Sequence, residues 1–557
     1  MDKEFVRGYE GAAALAEEKL ATEPENGFDQ TQLRELAELF DDIAALGDVE
    51  IIHEGMTYEE VLIMVEHSDI RGKKLDYTGR LTNQLEIPLP IMSAAMDTVT
   101  DNKTAVAMAR HGGVGVIHKN FTPEEQAAEV EKVKRASSAL IEAPRTLRPN
   151  QSVADFMRIR DTGIGSVMIT DSEGTLMGMV TKRQLRSLMI ESELLESSNG
   201  NQTNPDAPGF EDILKHIPLY AVMHRFSESE LLPEGSTQED AMRVFAQEQE
   251  VDRLPMVDTQ GKLIGLYTFK DILERVTFPD AAKDSKERLM VGAAIGVGED
   301  AMKRLGLLVE QEVDFIVVDS AHGQDQAVLD LVCQVKEHHP DLQVIAGNAA
   351  SAKGTRALID VGVDAVKVGI GGGSTCTTRP TTGVGEAQLS AIRLAVLAAQ
   401  GDVPIIADGG IEQFGDIGKA LVAGADCVMI GGKLAGHEES PGEEVIIDGE
   451  RRKALRGMGS VDAIKEGSGG RYFGADQDEE DIVPEGMSGT VPYRGKLTKT
   501  LTQMKGSISK AMYYTGQTSA QELRKGRFAK LSSSAQRESH LHGMKASKGA
   551  PNYSYSV

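Results

Sequence analysis

VDFIVVDSAHG (313–323), LQVIAGN (342–348) and VDAVKVGIGGG (363–373) follow one another as short β-branched runs, each ending in Gly, Asp, Asn or Ser and each followed by a longer amphipathic stretch. A compact apolar run that gives way to a helical period marks a βα unit. The plan recurs downstream in VPIIADGG (403–410) and ADCVMIGG (425–432), and upstream in LMVGAAIG (289–296), GGVGVIH (112–118) and IPLPIMSAAMD (87–97). Eight such units predict an α/β protein built on a (β/α)8 TIM barrel, whose functional groups stand where each strand's C-terminal end meets its loop. Those ends carry Ser93, Met96, Asp97, Asp319, Ser320, Asn348, the glycine loop before Cys376, Asp408 and Gly431. Polar residues from distant parts of the chain are thereby expected at one mouth.

Residues 119–288 separate the second run from the third, far more than one barrel helix needs, so an independent module is expected between them. It contains a repeat. SVADFMRIRDTGIGSVMITDSEGTLMGMVTKRQL (152–185) and TQEDAMRVFAQEQEVDRLPMVDTQGKLIGLYTFKDI (237–272) share a helix, a strand, a D-x-x-G-x-L turn, a second strand and a Thr-initiated helix. The expected domains are an acidic N-terminal extension of helical pattern (1–55), a first barrel part (56–140), the module (141–278), and a second barrel part (279–557). Residues 461 to about 495 form a polar, Gly-rich and acidic stretch with little apolar surface to fix it in place.

The formal charge of −27, from 86 acidic and 59 basic residues, opposes general attraction to polyanions and excludes nucleic acid as an expected partner. Three cysteines are too few for a disulfide framework and fit a reducing compartment. No apolar run reaches the ~18 residues of a membrane span, and the N-terminus is charged where a signal peptide is apolar. A cytoplasmic protein without membrane contact is the expectation.

The loop GIGGGSTCTTR (369–379) follows the sixth strand, and its glycines can expose backbone groups to a ligand or cation at little steric cost. Cys333 and Cys427 read as small buried hydrophobes. Cys376 reads differently: it stands at the catalytic end beside Thr377, Thr378 and Arg379, where a nearby cation favours thiolate and hence nucleophilicity. Gly409 and Gly410 follow the seventh strand, and Gly431 and Gly432 the eighth. These loops are the recurrent phosphate position of such barrels. Asp408, acceptor-only when ionised, suits a pair of ribose hydroxyls, so the implied ligand is a nucleoside monophosphate.

The segments SAAMDTVT (93–100), GGVGVIHKN (112–120), GSTCTTR (373–379), ADGG (407–410), RGMGS (456–460), RYF (471–473), PEGMSG (484–489) and ESH (538–540) together resemble, in order and spacing, the inosine-5′-monophosphate (IMP) dehydrogenases of bacterial type. The resemblance implies NAD-dependent oxidation of IMP to xanthosine-5′-monophosphate (XMP) through a covalent bond from Cys376 to the purine, the committed step of guanine nucleotide synthesis. It implies that Ser374, Asp408, Gly409, Gly410, Gly431 and Gly432 hold ribose and phosphate. Met96, Met458, Gly459 and Glu485 would meet the purine, and Asp319, Ser320, Asn348, Gly369 and Gly371 the nicotinamide side. In the family the stretch at about 461–495 is a mobile flap that replaces the departing reduced cofactor and brings Arg471 and Tyr472 to the intermediate, with Arg471 activating water that Thr378 orients. The resemblance also implies potassium, held by carbonyls of Gly371, Gly373 and Cys376 together with Glu538, Ser539 and His540 of a neighbouring subunit, hence a homotetramer or octamer. The inserted repeat resembles a CBS tandem, which binds purine nucleotides. Thr268 and Asp271 match its ribose-binding T-x-x-D, whereas the first copy has Gln184 in place of Asp; a structural insertion is the alternative.

Three positions depart from the family pattern: Gly372 replaces Pro, Gly432 replaces a phosphate-contacting Ser, and Leu455 replaces a Tyr. The nearest rival is guanosine-5′-monophosphate (GMP) reductase, favoured by the G-G-x-x-x-G-H of Gly431–His437 but lacking the Arg-Tyr pair. A catalytically silent nucleotide sensor and an assembly protein are rivals from other classes, and the intact Cys376, Thr378, Arg471 and Tyr472 oppose the first of these.

Overall fold

The computed structural model describes residues 53–136, 140–141, 144–160, 165–185, 214–248, 251–472 and 481–540. The expected extension therefore lies almost wholly outside the described residues, as do residues 473–480 of the expected flap. The described chain divides into two compact units: one takes in the residues up to Ala136, 280–284 and those from Leu289 onward, the other residues 137–279 and 285–288.

The first unit is a closed parallel barrel of β1 (Ile91–Ser93), β2 (Val114–Ile117), β3 (Val291–Ile295), β4 (Phe315–Asp319), β5 (Gln343–Ala349), β6 (Ala365–Val368), β7 (Ile405–Asp408) and β8 (Cys427–Ile430). Closure comes from β8, whose Val428, Met429 and Ile430 pair with Ile91, Met92 and Ser93 of β1. Strand residues alternate between two cores, as a period of two requires. Phe315 and Val317 join Met92, Val114, Val116, Ile345 and Ile406 inside the barrel, while Ile316 and Val318 pack outward under the helices. Gly292 makes room for this filling, since a Cβ there would lie 2.3 Å from the Phe315 ring.

One sequence device recurs at the base of the strands. V-D, V-D and A-D at 313–314, 363–364 and 425–426 place an aspartate just before β4, β6 and β8. Each carboxylate accepts the amide at or beside the start of the preceding strand: Val291 N to Asp314 (2.7 Å), Val344 N to Asp364 (2.7 Å) and Ile405 N to Asp426 (3.0 Å). Lys134, Lys336 and Arg524 neutralise them in turn, as buried charge demands.

The helical layer is α1 (Asn102–Arg110), α2 (Pro123–Ala136), α3 (Ala301–Glu310), α4 (Gln326–His338), α5 (Ala352–Asp360), α6 (Gln388–Ala399), α7 (Gly415–Val422) and α8 (Leu497–Thr515). Asp101, Asp325 and Ser351 cap α1, α4 and α5 through their side chains, satisfying amides that a helix start leaves open. On α4, Val328, Leu331, Val332 and Val335 face the barrel. Cys333 falls on the opposite face and is exposed, which corrects its reading as a buried hydrophobe; Cys427, in β8, is fully buried. Between β8 and α8 stands a three-stranded antiparallel sheet of β9 (Glu444–Ile447), β10 (Glu450–Arg456) and β11 (Ser488–Pro492). The stretch 461–495 is thus not uniform. Its end is sheet because Ser488–Pro492 pairs with Arg456–Arg452.

The second unit repeats one topology. Thr146–Leu147 runs parallel to Ser166–Thr170, which is antiparallel to Leu176–Thr181; Leu232–Pro233, Arg253–Val257 and Leu263–Thr268 stand in the same order and sense. The D-x-x-G turns are equivalent: Asp171 accepts the amides of Glu173 and Thr175, and Asp258 those of Gln260 and Lys262. Gly174 (φ +90°) and Gly261 (φ +78°) supply the left-handed residue that such a turn favours in glycine. Gln184 accepts from the Thr181 amide and hydroxyl, so it caps a helix where the family places Asp. The side chain of Asp271 lies outside the described residues.

Candidate active site

The pocket opens at the C-terminal ends of the strands. Because β6 stops at Val368, the chain crosses the mouth as the glycine loop and re-enters a helix only at Thr378–Thr382. Cys376 N donates to Gly373 O (3.0 Å), closing the turn. The loop is then stapled to residues 485–487: Thr377 N donates to Glu485 O (2.8 Å) and Met487 N to Thr375 O (2.9 Å). Cys376 Sγ lies 3.1 Å from Thr378 Oγ1, and that hydroxyl donates to Glu485 Oε2 at 2.7 Å. With its proton engaged by the carboxylate, Thr378 offers a lone pair to the thiol, so the Cys376 S–H is the donor.

Arg379 does not serve the thiol as its position in sequence suggests. Its Nε and Nη2 donate to Ile370 O (3.2 and 3.1 Å), and Nη2 also donates to Glu386 O. Buried carbonyls need donors, and the guanidinium supplies them, fastening the two ends of the loop.

Behind the loop lies a residue that the sequence reading missed. Lys367 of β6 is 1% exposed. Its Nζ donates to Asp319 Oδ1 (2.9 Å) at the end of β4, to Asp408 Oδ2 (2.7 Å) at the end of β7 and to Asn348 Oδ1 of β5. Asn348 Nδ2 donates to Asp408 Oδ2 (3.0 Å) and to Gly369 O (2.5 Å). Only glycine fits at 347, since a Cβ there would lie 2.4 Å from Lys367 O. The signal in the sequence was a lysine inside the apolar run VDAVKVG, which no surface position explains.

Arg471 forms an ion pair with Asp319 Oδ2. Tyr472 stacks its ring end where a Gly459 side chain would begin, 2.8 Å from that hypothetical Cβ. Burial pushes the Tyr472 phenol above its usual range, with Arg471 opposing. The segment before this pair is docked: Arg456 binds Asp97 (2.7 Å) and Glu466, Lys119 donates to Gly467 O (3.0 Å), and Asn120 donates to Asp97 (2.7 Å).

The structure therefore brings Asp319, Asn348, Gly369, Gly371, Gly373 and Cys376 to one pocket with Thr378, Asp408 and Gly409. Met96, Met458, Gly459, Glu485, Arg471 and Tyr472 complete the wall. Ser374, Gly410, Gly431 and Gly432 lie alongside. Gly410 N donates to Gly372 O (2.9 Å), and Ser374 Oγ is 2.5 Å from the Cβ that Gly432 would carry. Ser320 stands behind, its backbone paired with Gly347 and Asn348 and its hydroxyl accepting the His322 amide (3.2 Å). Glu538, Ser539 and His540 lie exposed at the end of the short helix Ser533–Glu538, apart from the residues lining the pocket. Among the described residues no cluster of three His, Cys, Asp or Glu side chains could hold a metal ion, and no helix is long and apolar enough to cross a membrane.

Residues 55–542 match the family described as IMP dehydrogenase / GMP reductase domain. The inosine-5′-monophosphate dehydrogenase of Aquifex aeolicus is 42% identical over 505 residues, covering 90% of this chain and 98% of that protein. The Bacillus subtilis protein of the same name is 41% identical over 509 residues, with 90% and 98% covered. A solved GMP reductase variant from Trypanosoma brucei, in complex with guanosine 5′-monophosphate, superposes with a TM-score of 0.77 at 33% identity, covering 89% of this chain and 99% of that one. Model match, identity and coverage agree with the barrel and its cysteine loop: the chain belongs to the IMP dehydrogenase / GMP reductase family.

Proposed function

We infer that the chain is an IMP dehydrogenase that oxidises IMP to XMP with NAD, working as a cytoplasmic homotetramer activated by potassium. Cys376 gives up its thiol proton to solvent as Sγ bonds to C2 of the hypoxanthine, and the C2 hydrogen leaves as hydride. NAD, when bound, supplies the acceptor for that hydride. Water then adds to C2 of the resulting thioimidate and the C–S bond breaks, releasing XMP and the free cysteine. Asp408 binds the ribose, oriented by Asn348 and Lys367. Thr378 orients the water while Glu485 holds the threonine's hydroxyl proton, Arg471 activates the water with Tyr472 beside it, and the water's proton returns to the departing Cys376 sulfur.

The donor set fits both absent groups. Asp319 offers an acceptor beside Gly369 and Gly371, suited to the nicotinamide riboside, and Asn348 lines the same side with its amide held by Asp408 and Gly369. Since Arg471 pairs with Asp319 here, the Arg-Tyr segment and the cofactor would occupy that side in turn. The carbonyls of Gly371, Gly373 and Cys376 fall in one turn, the oxygen-only environment that a hard monovalent cation takes, and exposed Glu538, Ser539 and His540 of another subunit would complete it. A purine nucleotide at the repeated unit would be held by Thr268 and Asp271.

One observation carries the reading: the nucleophile Cys376 shares its pocket with Arg471 and Tyr472, the water-activating pair. The Trypanosoma neighbour and Gly431–His437 favour GMP reductase instead. Absorbance at 340 nm, with KCl, IMP and NAD beside GMP and NADPH, separates the two. NADH is expected only with IMP and not from Cys376→Ala; consumption of NADPH with GMP would transfer the assignment to the reductase.

A further inference from the structure

We propose that Lys367 is a positioning residue that couples the substrate half of the pocket to its cofactor half, so that the state of Asp319 is felt at Asp408. The inference rests on the reading that Asp408 holds the ribose. The two carboxylates stand at the ends of β4 and β7, with β5 and β6 between them. A single buried ammonium spans the gap, 2.9 Å from Asp319 and 2.7 Å from Asp408, and Asn348 braces the same Asp408 oxygen.

Charge counting shows why the lysine matters. Asp319, Asp408 and Lys367 sum to −1; Arg471, paired to the free oxygen of Asp319, brings the cluster to zero. Whatever replaces Arg471 at Asp319 alters how strongly that carboxylate draws on the shared ammonium, and Asp408 holds the other end. Without Lys367 two carboxylates would face each other in a nearly dry site, where like charges are costly. Ordinary packing does not explain this arrangement, because Lys367 is a fully buried cation whose Nζ meets three polar side chains on three other strands.

The test uses full-length Cys376→Ser protein, which binds without turnover, with IMP affinity measured by calorimetry. Lys367→Met is expected to weaken IMP at least about tenfold, and Lys367→Arg less than about threefold, because the planar cation can still bridge. A double-mutant cycle supplies the decisive reading. Asp319→Asn should change IMP affinity at least about threefold when Lys367 is present and hardly at all in the Lys367→Met background, the signature of coupling through that residue. Equal effects of Asp319→Asn in both backgrounds, or an unchanged affinity in Lys367→Met, would overturn the proposal. If Lys367→Met fails to fold, Asp319→Asn is measured with Lys367 intact and in the Lys367→Arg background, and no effect in either would overturn it. Failure of the parent Cys376→Ser protein to bind IMP would instead reject the substrate reading.

Discussion

Single residues in and beside the loop after β8 separate this chain from the pattern it resembles. Gly432 and Leu455 are neighbours: the Cβ that Gly432 would carry lies 4.0 Å from Leu455 Cδ2 and 2.5 Å from Ser374 Oγ. Restoring serine at 432 alone should therefore displace Ser374 and weaken IMP, whereas Leu455→Tyr adds a hydroxyl donor. A gain of about 1.5 kcal/mol, roughly tenfold in affinity, is the expected size for one hydrogen bond to a charged group. No gain in IMP affinity from Leu455→Tyr would remove that explanation of the departures. His118 makes a second prediction. Its Nδ1 accepts the Asn120 amide, so the ring is neutral, and burial pulls its pKa down from 6.5 to about 4. The unfolded chain takes up this proton as pH falls below 6.5 while the fold resists until about 4. Stability is thus lost across that window, by about 3 kcal/mol in full. His118→Gln should flatten the decline of Tm between pH 6.5 and 4, and an unchanged slope would reject it. At this scale the sequence pointed to Cys376, in a glycine-rich loop, and to Asp408, the last residue of β7 before two glycines. Lys367 was marked only as a lysine inside an apolar run, because its partners on β4, β5 and β7 come together only when the barrel closes.

Elements decide what the Arg-Tyr pair can do. The segment leading to it is tied at three points, by Arg456 to Asp97 and Glu466, by Lys119 to Gly467 and by Asn120 to Ala463. Arg456→Ala should free the segment while leaving Cys376 and Thr378 in place. Steady-state turnover is expected to fall about tenfold with the first burst of NADH preserved, since positioning contacts act on the step they serve. Stopped-flow absorbance reads both, and loss of the burst would place Arg456 in the earlier chemistry instead. The strands of the barrel were legible because fully buried parallel strands are continuous apolar runs. The sheet of β9 to β11 was not, because its exposed, charged strands, such as ERRKALR of β10, carry no such run.

For the whole molecule, the barrel has its own two cores and its own closure between β1 and β8. Replacing residues 137–279 by a short Gly/Ser linker should leave NADH formation from IMP within about threefold, because a unit with its own core folds alone; a collapse of turnover would show that the barrel depends on it. The repeat inside the inserted unit was legible from matching turns, since Asp171 and Asp258 do the same local work. The extension before residue 53 gave an acidic composition and a helical pattern but no chemistry.

The position of α8 reaches beyond the finished molecule. It is the last of the eight barrel helices, packs against α1 and α7, and follows β8 only after the three-stranded sheet. A ribosome making this chain releases residues 137–279 long before Leu497, so the inserted unit can complete its fold while the barrel still lacks β3 to β8 and α3 to α8. Domains commonly fold as they emerge. Here the unit that interrupts the other can become native first, while β1 and β2 wait for β8 and β3, the strands that flank them in the closed barrel.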